Sequence, residues 1–130
     1  MARTVLVIED EAHIAEALRF LLSRAGWRVA VHADGTTAMD LIRDIAPSAL
    51  ILDVMLPGRS GYEILEELRA DPVLRDLPVL ILTARGQERE RALAEMKGAS
   101  LFMTKPFAND ELIANLRQLA GDPAAAESAG

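Results

Sequence analysis

The sequence predicts an α/β fold: a doubly wound, five-stranded parallel sheet flanked by five helices. Three observations predict it. The apolar runs at Thr4–Ile8, Ala49–Leu52, Leu77–Leu82 and Ser100–Thr104 are short and mostly continuous, as strands buried on both faces are. Each run is followed by a stretch with helical spacing of apolar residues, and Gly or Pro marks most of the boundaries. Strands and helices that alternate one for one return the chain to the same end of the sheet through right-handed crossovers, which makes the strands parallel and places helices on both faces.

The elements follow in order. Thr4–Ile8 is β-branched and wholly apolar after its first residue, a central strand. Beyond Glu9-Asp10-Glu11, the residues Ile14, Leu18, Leu21, Leu22 and Ala25 share one helix face, and Gly26 stops that helix. Trp27–Val31 alternates in part and suits a position near an edge. Asp34-Gly35-Thr36 turns the chain into a second helix with Ala38, Leu41, Ile42 and Ile45 on its apolar side and Pro47 just past its end. After the third strand, Ser60 and Glu63 have the spacing of a capping box. Ile64, Leu65 and Leu68 then form an apolar face that Asp71-Pro72 terminates. The fourth strand ends in Thr83. The helix after it, Gln87–Lys97, is unusually polar and offers only Ala92, Leu93 and Met96 for burial. It should be the most weakly held, because an apolar face supplies most helical stability. Ser100–Thr104 is the fifth strand. A last helix from about Asn109 buries Leu112, Ile113, Leu116 and Leu119. Residues 1–120 thus form one domain, and 121–130 have the composition of a disordered tail or the start of a linker.

Composition narrows the function. At 130 residues the chain is one domain by the usual prior. It has no cysteine, which removes disulfides, thiolate metal sites and cysteine nucleophiles. A net charge of −6 without a basic cluster argues against direct nucleic-acid binding. No apolar run approaches the ~18 residues of a membrane span, and Met1–Thr4 passes straight into a strand, so neither a membrane segment nor a signal peptide is expected.

The stretch from Leu50 to Gly58 organises the rest. A buried strand ends abruptly in Asp53, and Pro57-Gly58 breaks the chain before the next helix. A carboxylate there either caps the turn or faces the rim where open α/β sheets bind ligands. The other strand ends decide between these. In a parallel sheet they share one rim, which receives Glu9, Asp10 and Glu11 after the first strand, Asp53 after the third, Thr83 from the fourth and Lys105 after the fifth. Convergence of this kind marks a site.

Clustered carboxylates call for a cation, and an all-oxygen donor set without His or Cys suits Mg²⁺ or Mn²⁺. Asp53 can then act as a nucleophile toward phosphorus, with the metal, Lys105 and Thr83 holding the phosphoryl oxygens. His13 and His32 read as ordinary surface and strand-end residues, and Trp27 as a packing residue.

These motifs resemble a family. Val5–Glu11, Asp53–Gly61, Leu82-Thr83-Ala84 and Lys105-Pro106-Phe107 together look like the receiver domain of bacterial two-component response regulators, with the chemotaxis-regulator-like, flavodoxin-like fold. The resemblance covers about Arg3–Ala120 and implies the strand order 2-1-3-4-5.

It also implies roles. Asp53 is the phosphoacceptor for a phosphoryl group from a sensor histidine kinase or a histidine phosphotransfer protein. Glu9, Asp10, Asp53 and the Met55 backbone carbonyl hold Mg²⁺, with Glu9 standing where the family usually has Asp. Thr83 and Lys105 contact the phosphoryl group, and the Lys105–Pro106 bond is expected to be cis. Phe102 occupies the switch-aromatic position and, lacking a hydroxyl, reports through packing alone. Met55 and Arg85 lie two residues beyond Asp53 and Thr83, where the family tunes phosphate loss; Met55 cannot orient a water, so the loss should be slow to moderate.

Ala108 stands where a cap for the last helix is usual, with Asn109 as its substitute, and Ser100-Leu101 replaces an acidic pair of DNA-binding relatives. The implied output is a changed surface at the fourth helix, fifth strand and fifth helix, read by a downstream protein target or a linked output domain. The implied location is cytoplasmic. A haloacid-dehalogenase-type phosphatase would want an Asp at Met55, and a scaffold that is never phosphorylated would need none of Asp10, Asp53, Thr83 and Lys105.

Overall fold

The computed structural model describes residues 3–84 and 88–123. The elements are β1 (Thr4–Ile8), α1 (Ala12–Arg24), β2 (Arg28–His32), α2 (Ala38–Ile45), β3 (Ala49–Leu52), α3 (Gly61–Ala70), β4 (Val79–Thr83), α4 (Glu88–Met96), β5 (Leu101–Thr104) and α5 (Asn109–Ala120). The sheet order is β2-β1-β3-β4-β5 with every pairing parallel. This is the flavodoxin-like arrangement expected from the sequence. The expected helix start at Gln87 and the position of Arg85 lie outside the described residues.

Strand periodicity divides the core in two. Leu6, Ile8, Leu50, Leu52, Val79 and Ile81 face α2, α3 and α4. Val5, Val7, Ile51, Leu80 and Leu82 face α1 and α5. Leu50 is fully buried, and truncating such a residue to Ala costs about 2–5 kcal/mol through lost transfer energy and the cavity left behind. At the edges, β2 is only partly buried while β3 and β4 are buried throughout, as the continuous and alternating patterns suggest.

Helix ends follow local chemistry, with two corrections. The Ser60–Glu63 capping box forms in both directions. α2 ends at Ala46, which takes a left-handed conformation (φ 49°) before Pro47. The first correction concerns α5. Ala108 is its N-cap and supplies no side-chain bond, so Asn109, already the first helical residue, does not take over the capping role. The second concerns α4. Its buried residue is Ala94. Of the three residues expected inside, Met96 is 82% exposed, Ala92 is exposed and Leu93 is half-buried. The helix is rotated because polar neighbours, not an apolar stripe, orient it. Tyr62 donates to Glu90 Oε2 at 2.8 Å, and the Arg91 guanidinium lies 4.9 Å from the centre of the Phe102 ring.

After α5 the chain turns back to the start of the sheet. The Arg3 N–H donates to the Pro123 carbonyl at 3.1 Å, and the Arg3 guanidinium to the Ala120 carbonyl at 2.6 Å. No described helix is long and apolar enough to cross a membrane.

Candidate functional site

The parallel register brings the C-terminal ends of four strands to one rim. Backbone bonds fix each segment there: Glu9 N–H donates to His32 O at 2.9 Å, Asp53 N–H to Ile8 O at 3.0 Å, and Lys105 N–H to Thr83 O at 2.9 Å. These bonds continue the sheet ladder one residue past its edge. The backbones of Glu9, Asp53 and Lys105 are thereby held in the sheet register even though each residue lies outside a strand.

The result is a compact ionic cluster. Glu9, Asp10 and Asp53 each offer a carboxylate oxygen within 4.8 Å of the others. Glu9 and Asp53 are buried and Asp10 is exposed, so the cluster opens to solvent on the Asp10 side. Lys105 Nζ lies 3.1 Å from Asp53 Oδ2 and also pairs with Glu9 Oε1, the latter without hydrogen-bond geometry. The other Asp53 oxygen, Oδ1, accepts the Met55 N–H at 3.2 Å, and Glu9 Oε2 accepts the Glu11 N–H at 3.2 Å. Thr83 is fully buried at the end of β4, opposite Thr104 of β5. The Lys105–Pro106 bond is cis.

The electrostatics show an excess of negative charge. Burial, followed by the contact with Asp53, raises the Glu9 pKa from 4.5 to about 7. For Lys105, burial pulls downward, but the two carboxylates outweigh it and the net shift is upward. Among the described residues, three carboxylates face one ammonium, so that cluster is two charges short of neutrality if all ionise. A divalent cation is the complement. The donors are all oxygen, two of the three carboxylates are fixed by backbone N–H groups, and one side is open for water and further oxygens, as Mg²⁺ requires. The residues present fit that ion.

The structure thus brings together Glu9, Asp10, Asp53 and Lys105 as the sequence suggested, and sets Thr83 one backbone bond from Lys105. Phe102 is 7% exposed within the core on the α2–α4 side of the sheet. His13 is exposed, His32 Nε2 lies 2.7 Å from Thr37 Oγ1, and Trp27 is buried among packing residues. The sequence places Gly61 at the end of the Asp53–Gly61 motif but does not show its steric role. A Cβ there would lie 2.2 Å from the Asp53 backbone carbonyl oxygen, so only glycine lets α3 begin so close to the main chain of Asp53. A glycine at a first helical position, where better helix formers are available, was the available signal.

A doubly wound sheet with a strand-end acidic pocket and an opposed lysine defines a class of phosphoryl-handling α/β proteins. The family model for the response regulator receiver domain matches residues 5–117, and the chain belongs to that family.

The Escherichia coli K12 phosphate regulon transcriptional regulatory protein PhoB is 39% identical over 117 residues, covering 90% of this chain and 51% of that protein. The chain therefore spans about half the length of the curated relatives it matches. Among solved structures, one assigned as a response regulator from Chloroflexus aurantiacus superposes with a TM-score of 0.88 at 34% identity, over 92% of this chain and 98% of that one. The receiver domain of the Pseudomonas aeruginosa sensor histidine kinase PA1611, with a magnesium ion in its active-site cleft, gives 0.85 at 28% identity, over 93% and 99%. The relatives point to the receiver family at large and do not single out its chemotaxis branch.

Proposed function

We propose that this domain accepts a phosphoryl group on Asp53 from the phosphohistidine of a sensor histidine kinase or a histidine phosphotransfer protein. The observation that carries the reading is the convergence of Glu9, Asp10 and Asp53 within 4.8 Å, with Lys105 held 3.1 Å from Asp53. Glu9, Asp10, Asp53 and the Met55 carbonyl are the groups to hold Mg²⁺, whose role when bound is to neutralise charge on the phosphoryl oxygens.

The chain's own residues do the rest. An Asp53 carboxylate oxygen attacks phosphorus, the P–N bond to the donor imidazole breaks, and the imidazole leaves with its electron pair. The Lys105 ammonium, already oriented by two carboxylates, is placed to follow the charge onto the phosphoryl oxygens. Thr83 offers its hydroxyl from the neighbouring strand.

Output runs through the α4–β5–α5 face. α4 buries one residue and rests on polar contacts, so a displacement of Thr83 toward the phosphoryl group would shift Phe102 and the helix with it. The reader of that face is a downstream protein or a linked output domain, without direct nucleic-acid contact by this domain, in the cytoplasm. The domain acts as a signalling receiver, not as an enzyme turning over a small substrate.

The test is intact mass after incubation with acetyl phosphate and Mg²⁺. One phosphoryl mass should be gained, and lost with Asp53→Asn or EDTA. An adduct that persists in Asp53→Asn would reject Asp53 as the acceptor.

A further inference from the structure

We propose that Gly35, together with the Gly58–Thr36 contact, positions the phosphoacceptor loop, so that the β2–α2 connection sets Mg²⁺ affinity without donating a ligand. The inference rests on the reading of the site given above.

The loop from Asp53 to Ser60 carries the phosphoacceptor and the Met55 carbonyl. Its far end, Pro57–Arg59, leans on the β2–α2 connection. The Gly35 N–H donates to the Pro57 carbonyl at 3.1 Å. Gly35 is buried, and a Cβ built on it would stand 2.2 Å from the Arg59 carbonyl oxygen and 3.0 Å from its carbon. The obstacle is backbone, which no rotamer change removes. The second point of contact is reciprocal: a Cβ on Gly58 (φ +79°) would stand 2.1 Å from Thr36 Oγ1 and 3.3 Å from Asp34 Oδ1. The β2–α2 connection is itself tied down, because Asp34 Oδ1 accepts the Thr36 N–H at 2.8 Å and His32 Nε2 lies 2.7 Å from Thr37 Oγ1.

The two loops are therefore seated against each other with no space for a methyl group at either glycine. Adding one at Gly35 forces Pro57–Arg59 to retreat by roughly an ångström to reach ordinary contact distance. The loop is anchored at its other end by the Asp53 N–H bond to Ile8 and the Gly61 N–H bond to the Val54 carbonyl. The retreat is then taken up between these anchors, where Met55 lies. Mg²⁺ tolerates little departure from octahedral geometry, so a ligand carbonyl displaced on that scale weakens binding.

The experiment is calorimetric titration of MgCl₂ into the full, unphosphorylated chain, paired with thermal unfolding in EDTA, for the wild type, Gly35→Ala, Gly58→Ala, Gly58→Ala/Thr36→Ala and Gly26→Ala. Gly26, also a positive-φ glycine (φ +111°), sits against Pro123 at the opposite end of the sheet. Gly35→Ala and Gly58→Ala are expected to weaken Mg²⁺ binding by about tenfold or more, the usual scale for supporting groups around a metal. The second substitution at Thr36 should restore the part of the Gly58 loss that the hydroxyl causes, read as a clear partial recovery, while the backbone strain of a Cβ at φ +79° remains. Gly26→Ala should lower Tm and leave the Mg²⁺ Kd unchanged.

Wild-type affinity in both loop variants overturns the inference, as does a loss of affinity that merely tracks Tm across all three glycines. If Gly35→Ala does not fold, the Gly58 pair decides alone. A wild type that does not bind Mg²⁺ overturns the reading of the site and the inference with it, whereas binding by the wild type that the loop variants share overturns the inference only.

Discussion

Lys105 Nζ lies 3.1 Å from Asp53 Oδ2 although 52 positions separate the two residues. Asp53 is buried and Lys105 nearly so, with 6% and 10% of their side-chain surface exposed. A charge pair this enclosed is costly to break, because the remaining partner keeps its desolvation penalty and loses its compensation.

Lys105→Met leaves Glu9 and Asp53 facing each other without their cation. The metal-free variant is expected to be less stable by about 3 kcal/mol at pH 8, read by urea unfolding in EDTA. Labelling of Asp53 by acetyl phosphate at saturating Mg²⁺ should fall by about 10²-fold, the scale for losing one preorganised charge partner. Unfolding and labelling that both match wild type would show that the pair is incidental.

Glu9 gives a pH dependence whose sign follows from its upward shift. Burial first, then Asp53, moves its pKa from 4.5 to about 7. The folded protein therefore binds this proton more tightly than the unfolded chain. Below pH 4.5 both states hold the proton. Between 4.5 and 7 only the folded state does, so stability falls as pH rises through that window and levels off above it. Glu9→Gln removes the dependence. In EDTA the variant should exceed wild type by on the order of 2–3 kcal/mol at pH 8, with the gap closing toward pH 4. A gap that stays constant with pH would assign the effect to packing.

How much of this was legible in the sequence depends on the range of the interaction. The strands announced themselves through continuous apolar runs, and the parallel order followed from alternation, so the placing of Asp53 and Lys105 at one rim needed no coordinates. Ser60 and Glu63 were legible because a capping box acts over three residues. The orientation of α4 was not. Its apolar residues are few, and the contacts that orient it, Tyr62 with Glu90 and Arg91 with Phe102, join residues 28 and 11 positions apart with no periodic signal. The steric role of Gly35 was hidden for a related reason: its obstacle is the backbone of Arg59 on another loop.

The start of α5 leaves room for improvement. Ala108 is the N-cap with extended backbone (φ −82°, ψ 131°) and no side-chain bond. That conformation is the one a capping serine adopts, so Ala108→Ser should satisfy an N–H of the first turn and stabilise the fold by about 1 kcal/mol. Urea midpoints check it. No gain would mean that the hydroxyl prefers solvent to the helix end.

α4 is anchored unequally at its two ends, and exchange at individual amides should show it. At the C-terminal end, Arg69 donates from Nε to the Gly98 carbonyl at 2.8 Å and from Nη1 to the Leu77 and Arg75 carbonyls at 2.7 and 2.9 Å. One guanidinium thus ties Gly98, two residues past the helix, to the α3–β4 connection. The N-terminal half has no buried side chain and, among the described residues, contacts Tyr62 and Phe102. Tyr62→Phe keeps the ring and deletes the hydroxyl that donates to the Glu90 carboxylate. A hydrogen bond to a charged group contributes about 1.5–3 kcal/mol, reduced here by partial exposure. Amide exchange at residues 92 and 93, the first amides bonded within the described helix, should therefore accelerate by about tenfold, while residues 97–99, next to the Arg69 contact, keep their wild-type rates. Acceleration spread evenly over the helix would mean that α4 opens as one unit, and its N-terminal end would then not be the hinged part of the proposed output face.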